Sequence, residues 1–170
     1  MNDHFFGVAL EQELDVAEEE ITAWVLEEHR KDFPLFGDAV AIGSGPETPE
    51  AQLSPHQFTQ LVTAAKEIAS VPAVISYLRY QIARAPGQEV GWRWHDVGEQ
   101  IVALLAHPIR GRAARAAQRA AERTRGSGVR ASDEELRQAW VELTCRFLAL
   151  LRRRFMQRVR DLSYQRGEGT

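Results

Sequence analysis

The sequence predicts an all-α protein, a compact bundle of about five helices with an acidic N-terminal helix and a basic inserted helix. Apolar residues recur at three- and four-residue spacing in several segments, which is the periodicity of helices with one buried face. Serine- and proline-led helix starts, and glycine- and proline-rich breaks, separate these segments. With 170 residues and 44% hydrophobic content, the chain is long enough to bury a sizeable core in one domain.

The first helix is predicted over residues 8–33, within an acidic N-terminal unit of residues 1–33. It ends near Phe33-Pro34, because the residue before a proline disfavours helical backbone. Its glutamate-rich face is either a solvated surface or a surface that meets an arginine-rich neighbour, including another copy of this chain. The predicted apolar stripe consists of Leu10, Leu14, Ala17, Ile21, Trp24 and Val25.

Residues 34–52 are predicted to be a loop, because they are rich in glycine and proline and have no helical period. Residues 53–170 then form the core of the bundle. Its first helix begins at a capping box, in which Ser54 caps the helix and Gln57 returns a hydrogen bond. Its apolar face holds Phe58, Leu61, Val62, Ala65 and Ile68.

The next helix begins at Ser70 and Pro72, a capping serine followed by a proline that the first helical turn tolerates. Arg79 and Arg84 fall between its apolar positions, so two guanidinium groups lie on a helix whose other side is core. Arg93 stands at the entry of the following apolar run. The apolar positions are Val71, Val74, Ile75, Leu78 and Ile82.

A further helix is predicted over about 94–107, flanked by Trp92 and Trp94. Aromatic rings beside arginine can form a stacking platform for bases. In an all-helical protein, the simpler interpretation is that both tryptophans are core anchors.

Residues 108–131 form a basic segment, in which seven arginines stand against one acid, Glu122. Arg112, Arg115, Arg119 and Arg123 have three- and four-residue spacing, so they form one stripe on a helix. Two interpretations stay open: the stripe faces a polyanion, or the segment is a solvated linker helix that ends at Gly126. The final helix starts at a second capping box, Ser132 to Glu135, and runs to about Leu162 with a basic end.

Charge is divided unevenly along the chain. Residues 1–50 hold 13 acidic and 2 basic side chains, whereas residues 51–170 hold 11 acidic and 19 basic ones. Of the 21 basic residues, 19 are arginine, whose planar guanidinium suits phosphate contacts and stacking.

The run ISYLRYQIARAPGQEVGWRW resembles the central segment of the small helical subunit of type III-A CRISPR effector complexes, the Csm family. Tyr77-Leu78-Arg79 matches the family's Tyr-Leu-Arg, and Gly87-Gln88-Glu89 matches its Gly-Arg-Glu with glutamine in the arginine's place. Arg93 stands where the family has a later basic residue. LSPHQFTQLV takes the place of a further signature, with Thr59 where the family has arginine, and EELRQAWVELTCRFLAL resembles its closing helix. The match covers about half of the chain, and the basic segment is an insertion relative to the family.

This resemblance implies a non-catalytic RNA-binding subunit that holds the guide–target RNA duplex by arginine–phosphate contacts. The implied partners are guide RNA, target RNA, other subunits of the effector complex and further copies of the chain itself. The resemblance points to Arg79 and Arg93 as RNA contacts, and position on the same helix adds Arg84. Gln57 and the arginine stripe complete the predicted set.

The alternative is a helical protein–protein adaptor that oligomerises through its acidic helix and arginine-rich end, without nucleic-acid binding. Against an enzyme, the sequence has no nucleophile elbow, Walker lysine or dinucleotide glycine pattern. Its histidines lack paired spacing and Cys145 is a lone cysteine, so we expect no metal and no cofactor. The single cysteine and the absence of a membrane-length apolar run favour a cytoplasmic protein without a membrane partner.

Overall fold

The computed structural model describes residues 2–24, 53–85, 87 and 90–167, and it confirms the all-α class. The regular secondary structure within these ranges is helical throughout. A π turn, Leu105–Ile109, joins α4 to α5 in one continuous rod, so the bundle contains five helical rods, as predicted. The helices are α1 (Asn2–Ala23), α2 (Pro55–Ile68), α3 (Val71–Arg84), α4 (Val97–Leu104), α5 (Arg110–Arg125) and α6 (Asp133–Gly167).

Helix α1 begins at Asn2, earlier than the predicted start at residue 8. The extra turn is anchored because Phe6 is buried, with 7% of its surface exposed. The predicted apolar stripe is confirmed at Leu10, Leu14, Ala17 and Ile21, which are all buried. Residues 25–33 of the predicted helix and the predicted loop of residues 34–52 lie outside the described part of the chain.

Helices α2 and α3 begin where the sequence predicts. Ser54 Oγ accepts from the Gln57 backbone amide at 3.2 Å, and Gln57 Oε1 accepts from the Ser54 amide at 2.9 Å, which confirms the first capping box. The chain turns between the two helices at Ala69, whose backbone is left-handed with φ 50°. From α2, Phe58 enters the core completely buried.

The two tryptophans are core anchors, as the simpler interpretation held. They lie in a 3₁₀ turn, Gly91–Asp96, and Trp92 and Trp94 are only 3% and 4% exposed. The ring of Phe58 meets Trp92 edge-on at 5.2 Å between centroids and stacks on Phe155 of α6 at 5.3 Å. This aromatic cluster ties α2, the 3₁₀ turn and α6 together.

The predicted end of a helix near residue 107 is wrong, because the helix continues through Pro108. Proline has no amide hydrogen, and its ring clashes with the carbonyl four residues earlier, so it breaks a regular α-helix. Here the helix widens locally into the π turn and resumes at Arg110. Within that turn the Leu105 carbonyl accepts a hydrogen bond from the Trp140 indole of α6 at 3.0 Å.

Helix α5 is a core helix, so the interpretation of residues 108–131 as a solvated linker is wrong. Its alanines form a face of small side chains that packs against α1 and α6. It ends before Gly126, as predicted, and the second capping box follows, with Ser132 N donating to Glu135 Oε2 at 2.7 Å. The buried alanines are Ala113, Ala116, Ala117, Ala120 and Ala121.

Helix α6 runs along α1, α2 and α5 and continues to Gly167, past the predicted end near Leu162. Its residues Leu143, Phe147, Leu151 and Phe155 are buried, whereas Leu136 and Trp140 are partly buried against the core. The described helices therefore form one connected core, with the outer faces of α1, α3 and α6 left for charged side chains.

Candidate nucleic-acid interface

The outward face of α3 carries a small basic and aromatic surface, formed by Arg79, Tyr80 and Arg84. Arg79 is exposed and makes no ion pair or hydrogen bond with its side chain in the described part of the chain. The Arg84 guanidinium lies 5.4 Å from the centroid of the Tyr80 ring, which is itself 57% exposed. The surface thus presents one unengaged cation beside a cation–π pair.

The opposite face of α3 is fixed in the core, so this surface is rigid. Val71, Val74, Leu78 and Ile82 are all buried. Side chains on an anchored helix keep their relative spacing, which suits repeated contact with a regular phosphate backbone.

Arg93 and Gln57, which were predicted to contact RNA, are engaged within the protein. Arg93 Nε donates to the Ile82 carbonyl at 2.8 Å, which satisfies a carbonyl at the C-terminal end of α3. The Gln57 side chain serves the capping box and also lies against Gly91, where an added Cβ would stand 2.8 Å from Gln57 Nε2. Both residues have a structural role, and an RNA contact by either one stays a prediction.

The predicted arginine stripe of α5 faces α1. Arg123 and Arg119 approach the Glu13 carboxylate at 2.9 and 3.7 Å, and Glu13 is 8% exposed. The guanidinium of Arg112 lies 5.1 Å from the centroid of the Trp24 ring. Arg115 is exposed and has no partner among the described side chains. Three of the four stripe residues therefore contact α1 or the residue that follows it.

Arg146 on α6 was not among the predicted site residues, although it contacts more carboxylates than any other arginine in the described part of the chain. Its side chain is only 14% exposed and contacts four carboxylates. Burial alone would lower the pKa of the Arg146 guanidinium, but hydrogen bonds to Asp15 and Glu142 and the charge of Glu11 outweigh it and raise that pKa. The four partners are Glu11, Asp15 and Glu18 of α1 and Glu142 of α6.

Part of the acidic face of α1 therefore meets arginines of its own chain, whereas Glu19 and Glu20 are exposed and make no ion pair among the described residues. The sequence left open a solvated face or an arginine-rich neighbour, and in the structure that neighbour is formed by α5 and α6. A signal was present in the sequence, since Arg146 interrupts a largely apolar stretch four residues after Glu142. It did not identify α1 as the partner, because Asp15 is 131 residues away along the chain.

A second basic surface lies at the C-terminal half of α6. Arg152 Nε donates to the Thr59 hydroxyl of α2 at 3.0 Å. Arg153 stands 3.8 Å from Glu18, and Arg154 makes no side-chain contact of this kind among the described residues. Arg152 therefore brings a guanidinium group from α6 to the surface of α2 beside Thr59.

Within the described ranges, no group of three or more histidine, cysteine or acidic side chains is placed to hold a metal ion. Burial and the charge of Glu142 raise the pKa of the Cys145 thiol, and the charge of Lys66 only partly opposes them. The raised pKa disfavours the thiolate. No helix among the described residues is long and apolar enough to cross a membrane.

Comparison with known proteins found no match among family models, curated proteins or solved structures.

Proposed function

We propose that this protein is a non-catalytic RNA-binding small subunit of a CRISPR ribonucleoprotein effector complex. It holds the guide–target RNA duplex by arginine–phosphate contacts, with other subunits and further copies of itself as neighbours. The observation that carries the proposal is the exposed α3 surface, where Arg79 is unengaged beside the Tyr80–Arg84 pair. Most other predicted RNA contacts are engaged within the fold, whereas Arg79 has no partner among the described residues.

The chemistry of this surface suits a nucleic-acid backbone. A free guanidinium donates to phosphate oxygens in a fork geometry, and such contacts position RNA without selecting its sequence. The exposed Tyr80 ring, with Arg84 against it, adds a flat face on which an unpaired base can stack. The function that results is positioning, which needs no reactive side chain.

The contact between Arg152 and Thr59 gives further support. The family that this chain resembles has an arginine at the position of Thr59, and a protein without a cation there would lose that phosphate contact. Arg152 reaches the same place from α6, with its Nε 3.0 Å from the Thr59 hydroxyl. This arrangement keeps a basic group on the surface of α2.

The RNA contact is tested by fluorescence anisotropy with a labelled RNA duplex, and with one of its strands alone, over a range of salt concentrations. We expect Arg79→Ala to weaken binding of both and to reduce the slope of log K against log salt for the single strand by about 0.7, the value for one lost phosphate contact. The double variant Tyr80→Ala/Arg84→Ala should weaken binding further.

Arg130→Ala is the matched control, because Arg130 is an exposed arginine in the loop between α5 and α6 and has no partner in the described ranges. It carries the same change of charge and should leave the affinity nearly unchanged. Equal losses from Arg79→Ala and Arg130→Ala would mean that binding depends on net charge alone. That result would remove the α3 surface from the proposal.

Membership of a CRISPR complex needs a separate test. The tagged protein is purified from its own host, and the nucleic acid that accompanies it is sequenced. Short RNAs of repeat–spacer form are the expected result. Protein that is free of nucleic acid and forms salt-sensitive oligomers would contradict the proposal and favour the adaptor.

The structure offers that adaptor little support in its original form. It required the acidic helix of one copy to meet the arginines of another. Glu13 already contacts Arg119 and Arg123, and Asp15 contacts Arg146, all within one chain. These charges are not free for head-to-tail pairing.

A further inference from the structure

The outer face of α1 carries a line of exposed apolar side chains. Phe5, Val8 and Val16 are 63%, 50% and 44% exposed, and Gln12 lies between the two valines. Their spacing along the sequence places them on one side of a helix for about three turns. We call this line of four residues the α1 stripe.

Rotation of α1 about its axis could not bury the α1 stripe without exposing core residues. The opposite side of the helix supplies core residues, among them Leu10, Leu14 and Ile21. Turning the helix to hide one side would expose the other. Exposed apolar side chains that line up along one helix are typical of a surface that binds another helix.

The surroundings of the α1 stripe are mainly acidic, although Arg123 Nη1 donates to Gln12 Oε1 at 3.5 Å. Glu19 and Glu20 are exposed and make no ion pair in the described part of the chain. Arg146 contacts Glu11, Asp15 and Glu18 as well as Glu142, and Arg153 also approaches Glu18, so two cations face four carboxylates there.

An open cleft of about 580 Å³ lies at the C-terminal end of the α1 stripe. Three carboxylate residues contribute to its walls. Asp15 and Glu18 contact Arg146, whereas Glu19 makes no ion pair in the described part of the chain, so Glu19 is the group that would accept a lysine or arginine side chain of a partner. The lining residues are Asp15, Glu18, Glu19, Thr22 and Ala23.

We propose that the α1 stripe is the docking surface for a basic amphipathic helix of a partner protein. The apolar side of that helix packs on Phe5, Val8 and Val16, and its lysine or arginine side chains meet Glu19, Glu20 and the acidic cleft. Charge complementarity selects this occupant. The α1 helix of a second copy would bring carboxylates against carboxylates, which is unfavourable.

This surface is separate from the proposed RNA contact on α3, so the two can be tested independently. The probe is a synthetic helical peptide of about 18 residues, or five turns, with leucine on one face and alanine and lysine elsewhere. The matched probe has glutamate in place of each lysine. Binding of each labelled peptide to the full chain is measured by fluorescence anisotropy, and circular dichroism checks that every variant is folded.

We expect the basic peptide to bind and the acidic peptide not to bind. Val8→Ser/Val16→Ser should weaken binding of the basic peptide about tenfold, because two half-exposed valines lose their apolar contact. Glu19→Gln/Glu20→Gln should also weaken it and should reduce its dependence on salt. RNA affinity should be unaltered in both variants.

Ile68→Ser is the matched control, because Ile68 is an exposed apolar residue on α2, at 37% exposure. It should leave binding of the peptide unchanged. The proposal is overturned if Ile68→Ser weakens binding as much as the α1 variant, or if the acidic peptide binds equally well. It is also overturned if wild-type protein does not bind the basic peptide, since the α1 stripe would then be covered by another part of the chain.

Discussion

Replacement of Arg146 by methionine tests whether its ion pairs hold α1 on α6. Methionine keeps the apolar length of the side chain and removes the charge that faces four carboxylates. Exposed ion pairs are each worth about 0.2–1 kcal/mol, and Glu11 and Asp15 are 62% and 64% exposed. Four such contacts at about 0.5 kcal/mol each give a loss of about 2 kcal/mol in the free energy of unfolding.

Urea denaturation followed by circular dichroism measures this loss, which corresponds to a fall in Tm of about 6 °C for a domain of this size. The difference from wild type should shrink in about 1 M salt, where the Debye length is about 3 Å.

The control is Arg137→Met on the same helix, where Arg137 and Glu134 form an exposed pair at 70% and 78% exposure. It should cost no more than about 0.5 kcal/mol. If Arg146→Met costs as little as this control, or if its cost is independent of salt, the four contacts do not stabilise the packing of α1.

Three further predictions concern local stability. Gly98→Ala should lower the free energy of unfolding by about 2 kcal/mol, because the added Cβ would lie 2.7 Å from Ile82 Cδ1. Urea denaturation measures this change, and an unchanged urea midpoint would contradict close packing at Gly98. Ala69→Gly should raise thermal stability by about 1 kcal/mol, since φ at Ala69 is 50° and glycine adopts left-handed backbone without strain; a decrease would contradict this. Burial alone would raise the pKa of Glu135, but hydrogen bonds from Arg125 and the Ser132 amide hold that pKa below the usual value of a glutamate. Its contribution is therefore full above the usual glutamate pKa and is lost as the pH falls through the lowered pKa, so the stability difference between wild type and Glu135→Gln should vanish in acid.

Local features of the fold were predictable from the sequence because neighbours along the chain determine them. Both capping boxes, most of the apolar stripes of α1 to α3 and the end of α5 at Gly126 follow from spacing and residue type. Ile68, which was predicted on the apolar face of α2, is instead exposed at the end of that helix. Pro108 shows the limit of this reasoning. A proline usually ends a helix, but packing of Leu105, Ile109 and Trp140 keeps the helix continuous here, and packing is a tertiary effect.

The partners of the arginines could not be predicted, because they are distant in sequence. The spacing of the arginines predicts their common face on α5. It does not predict that Glu13 lies beside Arg123, or that three carboxylates of α1 lie beside Arg146. The same pattern of charge fits a helix that binds a polyanion and a helix that binds an acidic neighbour. Only the path of the chain distinguishes the two.

The π turn at Pro108 has a consequence for how this chain can vary in length. A π turn holds one residue more than an α turn, so deletion of Pro108 would leave a regular helix with α4 and α5 still in phase. Deletion of Ala114, inside α5, would instead rotate every later side chain by about 100° and turn Arg119 and Arg123 away from Glu13. Homologous chains that are one residue shorter should therefore carry the gap at this turn.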